Sequence, residues 1–214
     1  MTWSNIAYIA QGSGITIFYT GASLFLGGIL GMIFSWILSS NNSILKPIIQ
    51  MYISVFRGTP LLVQLGLIYF ALPALIGIKI STLAAGIGAF SLNSAAYIGE
   101  ILKGGISSVN AGQIAACKTL GIPYWNMMKD IIMPQAIKNA YPSLVNEAIT
   151  LLKETALIST IGEVDIMRRA HLVSAETFNY FQPLLIAAIF YYLIVLLITY
   201  FAKKFEKGIS HDHN

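Results

Sequence analysis

The chain has 214 residues, of which 56% are hydrophobic and 10% charged, with a formal net charge of +4. A soluble domain carries about 25% charged residues, so composition excludes a water-soluble globule. It predicts an all-α, polytopic membrane protein with about five transmembrane helices, organised as one domain over 1–214 with its core at about 14–205. Cys117 is the single cysteine, which excludes an internal disulfide, and no Cys/His cluster has the spacing of a metal site.

The opening residues MTWSNIAYIAQGSGIT have no basic n-region and no cleavage site before a polar mature chain, so no removable signal peptide is expected. A span needs about 20 mostly apolar residues. The first is expected over 14–38, which holds no charge. Its Gly21, Gly27, Gly28 and Gly31 leave room for another helix to approach closely. The second is expected over 61–76, with Pro60 near its first turn and apolar residues 51–56 extending it upstream of Arg57. The third, over 80–102, carries Asn93, Ser94 and Glu100 among small residues.

Residues 110–136 read as neither span nor flexible linker. They predict two short helices. The first covers 112–120 and stops near Gly121 and Pro123, because Gly supplies a left-handed cap and Pro prevents continuation. The second starts after Pro123 and stops before Pro134. Its Tyr124, Met127, Met128, Ile131 and Ile132 fall on one face, and Asn126, Lys129 and Asp130 take the other. Such a segment lies on the bilayer surface or packs beneath the spans. Pattern alone leaves open whether it is a plain surface loop or a platform for a partner.

The fourth span, over 140–161, is the most polar, with Asn146, Glu147, Lys153 and Glu154. Glu163, Asp165, Arg168, Arg169 and His171 follow as a loop. The fifth, over 183–202, is apolar apart from Tyr and Thr. His211 and His213 are read as a solvated tail.

Lys and Arg concentrate on cytoplasmic loops. One set of loops holds Lys46, Arg57, Lys103, Lys118, Lys129, Lys138, Lys203, Lys204 and Lys207. The other holds Lys79, Arg168 and Arg169 beside Glu163, Asp165 and Glu176. The N-terminus is therefore expected outside and the C-terminus in the cytoplasm, with 110–136 cytoplasmic. Topology accounts for the lysines, so no nucleic acid partner is expected.

The 110–136 segment resembles the coupling-loop signature of ABC importer permeases: a Glu-Ala-Ala, a Gly four residues beyond the last Ala, then an Ile and a Leu-Pro pair. Ala115, Ala116, Cys117, Gly121, Ile131, Met133 and Pro134 match this spacing, preceded by Gly112-Gln113 and followed by Gln135-Ala136. Phe56-Arg57-Gly58-Thr59-Pro60-Leu61-Leu62-Val63-Gln64, Ala95-Ala96-Tyr97 with Glu100, and Asn146 with Lys153-Glu154-Thr155-Ala156-Leu157 resemble the polar amino acid branch. The glutamine-type permeases are the most similar. One departure stands out: the family's Glu falls on Ala115, and Cys117 replaces an Ala, so one polar contact or cap at the start of the loop is missing.

The resemblance implies a type I importer permease fold in a bacterial inner membrane. It implies a cytoplasmic ATPase dimer docked on Gly112, Gln113, Ala115, Ala116, Cys117, Gly121, Ile131 and Pro134. It further implies an external amino acid binding protein and a second permease subunit, identical or a sister chain. No phosphate-binding Gly-x-x-x-x-Gly-Lys-Ser/Thr loop occurs. ATP and Mg are therefore expected on the partner ATPase, with no cofactor in this chain and no enzyme activity of its own.

Ionisable groups inside spans face a cavity or a partner. Glu147 and Glu154 lie seven apart, near one face two turns apart. Asn146, Thr150 and Lys153 form a neighbouring stripe. With Asn93, Tyr97, Glu100 and Thr155 these are the candidate path residues. Glu100 is also one turn from Lys103, which offers a structural pair, and Glu154 has Arg57 as an alternative partner. The external charged loop reads either as solvated or as a docking surface for the binding protein. A stand-alone secondary amino acid carrier or channel is the alternative function, but no inverted repeat is visible. Neither Gly-x-Ser-x-Gly nor His-Glu-x-x-His occurs, which argues against an intramembrane enzyme.

Overall fold

A computed structural model describes residues 1–40 and 43–211, with side chains described as far as 206. His213, and the side chains of Lys207 and His211, lie outside the described residues. The described chain is helical, without a strand.

The first helix, α1, is Trp3–Ser39, opened by the Thr2 hydroxyl accepting from the Asn5 N–H at 3.4 Å. It begins well upstream of the expected span because Thr2 caps it and no breaker follows. Its main neighbour is α5, Thr82–Ser107. A Cβ on Gly27 would fall 2.9 Å from the Ser91 carbonyl oxygen, and one on Gly31 would fall 2.7 Å from Ile98 Cγ2. These two glycines bring the backbones together, whereas Gly21 and Gly28 face open space.

Between these helices the expected second span, 61–76, runs as continuous helix, but residues 51–56 do not extend it in line. Helix α2, Leu45–Gly58, meets α3, Leu61–Gly66, at a bend of 103°. Pro60 has no N–H and forces Thr59 into extended geometry, with φ −122° and ψ 144°. The Gln64 amide repairs the break, donating to the Phe56 carbonyl at 2.8 Å, the Thr59 carbonyl at 3.1 Å and Thr59 Oγ1 at 3.0 Å. Beyond α3 a π-helical turn, Leu67–Ala71, leads into α4, Leu72–Ile76, which ends at Gly77 with φ 72°.

After α5 come α6, Ala111–Thr119, and α7, Tyr124–Asn126. A π-helical stretch, Met127–Ile132, then runs into α8, Met133–Glu154. The expected stop before Pro134 does not occur. Pro134 sits in the first turn of α8, where an absent N–H is harmless. The wider π turn just before it carries the chain into the same helical rod. A 3-10 segment, Thr155–Ile161, closes at Gly162, φ 94°.

The expected external loop is instead mostly helix: α9, Ile166–Thr177, capped by Asp165. The cap, with Ile166, Ala170 and Val173 buried behind it, is a local helix signal that the loop reading passed over. Helix α10, Phe181–His211, completes the chain.

Helix α1 and the stretch Phe181–Glu206 of α10 are individually long and apolar enough to cross a membrane, and the bent pair makes a third if it is one broken span. Helices α5 and α8, 26 and 22 residues long, reach about 39 and 33 Å but carry more polar residues. The layout is compatible with about five spans. Large apolar side chains such as Phe25, Leu67, Phe70 and Leu197 point outward, as expected where lipid is the solvent. The interior holds three main clusters. Tyr19, Leu65, Phe90 and Leu151 form one, Ile9, Leu152, Ile166 and Val173 another, and Ile106, Cys117, Met127, Met128 and Ile132 the third.

Candidate functional site

The 110–136 segment forms a built surface. The Asn110 side chain accepts from the Gly112 N–H at 2.7 Å and opens α6. At its far end Gly121 takes φ 69°, and its N–H donates to the Lys118 carbonyl at 3.1 Å. The Ile122 N–H donates to the Cys117 carbonyl at 3.0 Å. This pair of bonds is the left-handed helix terminus expected of Gly.

The two faces of the segment differ. Cys117, Met127, Met128 and Ile132 are buried against Ile106 and Val109 at the end of α5. The apolar face of the second helix therefore packs against the end of α5, although Tyr124 stays exposed. Gly112, Gln113, Ala115, Ala116, Lys118 and Gly121 are exposed, and Leu120 is 76% exposed. Small residues around one protruding Leu make a shallow surface suited to a groove on a partner. Leu120 was not singled out from sequence; its signal is an apolar residue stranded between Thr119 and Gly121. Ile131 is half-buried and Pro134 exposed. Gln135 Nε2 donates to Gln113 Oε1 at 2.7 Å, which ties the beginning of the segment to its end. That bond links two positions of the signature, so the surface holds together although Ala115 offers no carboxylate.

The intramembrane polar residues do not form one patch. Glu147 is buried and accepts from Ser94 Oγ at 3.1 Å, across the α5–α8 contact. Asn93 is buried on α5 as well. Glu154, two turns from Glu147, is half-buried, Thr150 is half-buried, and Asn146 and Lys153 are exposed. Thr155 is fully buried and donates to the Leu152 carbonyl at 2.7 Å. The two carboxylates on one helix face thus have different surroundings.

Glu100 takes the expected partner: Lys103 Nζ donates to Glu100 Oε1 at 3.1 Å. Arg57 also approaches Glu100, at 3.9 Å, with its guanidinium 5.2 Å from the centroid of the Tyr97 ring. The alternative Arg57–Glu154 pair is therefore not formed; the bend after Gly58 carries Arg57 to α5 instead. Both Glu100 contacts are partly exposed and are worth little as stabilisation. They do join α2 to α5 beside the break.

The charges of residues 163–176 divide into anchored and exposed groups. Glu163 accepts from Tyr19 Oη at 3.0 Å and from Thr82 Oγ1 at 2.9 Å, joining α1, α5 and the 3-10 segment. Asp165 is fully buried, caps α9 through the Arg168 N–H at 2.8 Å, and accepts from Tyr191 Oη at 3.1 Å. Burial pushes its carboxyl above the ordinary range, against the pull of these hydrogen bonds. Arg169 donates to the Val164 and Tyr8 carbonyls and to Gln11 Oε1, each at 3.1 Å, and lies over the Tyr8 ring. These three are structural. Arg168, His171 and Glu176 remain exposed.

Residues 24–211 match the family described as binding-protein-dependent transport system inner membrane component. The putative glutamine transport system permease protein GlnP of Rickettsia typhi is 49% identical over 205 residues, covering 96% of this chain and 94% of that protein. The arginine transport system permease protein ArtQ of Bacillus subtilis is 45% identical over 211 residues, covering 99% of this chain and 96% of that one. Among solved structures, an amino acid ABC transporter crystallised with histidines superimposes with a TM-score of 0.88 at 37% identity, covering 94% of each chain. The MetNI methionine ABC transporter in an inward-facing form shares the fold, with a TM-score of 0.85 at 17% identity and coverage of 98% of this chain and 99% of that one.

Proposed function

Because the chain belongs to the family of binding-protein-dependent transport system inner membrane components, we propose that it forms the membrane path of an ATP-driven importer that carries glutamine. It is a permease subunit for amino acid transport, not an enzyme. The observation that carries the glutamine reading is the run of near-full-length relatives, at 48–49% identity, named as glutamine permeases. The relative named for arginine, at 45% identity, favours arginine as the second reading.

In this reading the chain lies in a bacterial inner membrane, with its N-terminus outside and residues 110–136 in the cytoplasm. An ATPase dimer holds the Leu120–Gly121 surface and supplies ATP and Mg. Two permease subunits, identical or sister chains, enclose the path, and an external binding protein delivers substrate. Closure of the ATPase dimer pushes α6 and, through the continuous rod from Met127 to Glu154, moves the polar face of α8. Asn146, Thr150, Lys153 and Glu154 are polar residues in the second half of α8 left open or half-open, which suits a substrate with both an ammonium and a carboxylate. Glu147 acts by keeping α8 in register on α5. Lys79, Arg168 and Glu176, with the His171 side chain, are the external polar groups open to the binding protein.

The test is uptake of labelled glutamine by cells with and without the chain, with unlabelled competitors. Glutamine should compete strongly and arginine weakly. Uptake abolished by arginine and untouched by glutamine would move the assignment to the second reading.

A further inference from the structure

A groove of about 310 Å³ opens where α1 ends, lined by Met32, Ile33 and Trp36 of α1 and by Trp125, Met128 and Lys129 of the coupling segment. Trp36 and Trp125 meet edge to face, with ring centroids 5.4 Å apart. Both rings stay about half exposed, at 44% and 58%. Met32 and Ile33 are exposed beside them, while Met128 floors the groove. Lys129 is exposed, and among the described residues it makes no ion pair. Asp130 follows it directly in the π-helical stretch and so projects in a different direction around the helix.

Trp36 stands near the end of the uncharged stretch 14–38, where the first span leaves the hydrocarbon. Tryptophan is favoured at that level. A lysine there lays its stem along apolar surface and holds its ammonium at the headgroups. Lysines near the cytoplasmic leaflet attract anionic lipid. Apolar walls, a methionine floor and one unpaired cation at the rim match an acyl chain joined to a phosphate.

We propose that this groove seats one acyl chain of an anionic phospholipid from the cytoplasmic leaflet, with its phosphate on Lys129. The proposal rests on the cytoplasmic placement of residues 110–136 given above. The lipid covers a junction where the Trp36 and Trp125 rings meet, and so fastens the coupling segment to the first span. The transporter is then sensitive to the anionic lipid content of its membrane.

The test uses the purified full chain with Trp3→Phe, which leaves the two groove tryptophans as reporters, in nanodiscs of phosphatidylcholine. Phosphatidylglycerol or phosphatidylcholine with brominated acyl chains is titrated in, and tryptophan quenching is read. Brominated phosphatidylglycerol should quench at about fivefold lower mole fraction, the preference one surface lysine supplies. Lys129→Gln should bring the two titrations together, and Trp36→Phe with Trp125→Phe should remove the signal. Equal quenching by both lipids would overturn the proposal, leaving an unselective annular contact. Absence of quenching would also overturn it, leaving the groove to another copy or another protein. Nanodiscs present both leaflets, so these results do not depend on orientation. Orientation is read separately, by labelling Lys118→Cys with an impermeant thiol reagent in right-side-out and inverted vesicles.

Discussion

Glu147 and Ser94 make a buried polar contact between α5 and α8. Each is buried, and the hydroxyl at 3.1 Å is the donor recorded on that carboxylate. Ser94→Ala should cost about 1–3 kcal/mol, because a buried acceptor loses its donor, seen as a lower melting temperature in detergent. Glu147→Gln keeps an acceptor for Ser94 and should cost less than Glu147→Ala. Glu147 was legible as a costly intramembrane group, since its charge alone marks it. Its partner was not legible, because Ser94 is 53 residues away and one of several small residues on α5. The same holds for Arg57, which meets Glu100 rather than Glu154 because a backbone bend decides where it points. At Ala115 the family's carboxylate is absent, yet Gln113 and Gln135 still meet across the segment. Ala115→Glu should therefore leave the fold unchanged and alter only coupling, measured as ATPase activity stimulated by substrate-loaded binding protein.

Helix packing follows rules that sequence shows in part. The glycines of α1 announce a close approach, but the face that meets α5 is settled only in three dimensions. Gly31→Ala places a methyl against Ile98 and should destabilise by about 1–3 kcal/mol. Gly28→Ala meets nothing within 4 Å and should be neutral or stabilising by up to about 1 kcal/mol through helix propensity; thermal unfolding of the two variants in one detergent compares them directly. The terminus of α6 was fully legible, because Gly121 and Pro123 are local signals and the φ of 69° follows from them. The π turn before Pro134 was not, because it depends on Met127, Met128 and Ile132 reaching a pocket made by α5. Gly121→Asp puts a side chain and a charge at the exposed left-handed position. Membrane insertion and melting should change little, while ATP-dependent uptake should be lost. A variant that unfolds would instead make Gly121 a folding residue.

At the scale of the whole molecule, the chain is a set of largely apolar helices, and the 110–136 segment runs from Met127 straight into α8. The long apolar stretches and their chain order were legible from hydropathy, while the 103° break and α9 were not. A broken span keeps its apolar composition, and α9 is short and carries charges on its open face. The sequence has no phosphate-binding loop, and the small exposed residues around Leu120 join α8 through Tyr124–Ile132. The central claim is that this chain moves amino acids only when coupled to an ATPase. Purification of the tagged chain from its host in mild detergent, with partners identified by mass spectrometry, tests it most directly. An ATPase subunit in stoichiometric amount, lost in Gly121→Asp, is the predicted result. A chain that purifies alone and still passes amino acids across liposomes would contradict the account and make it a stand-alone carrier.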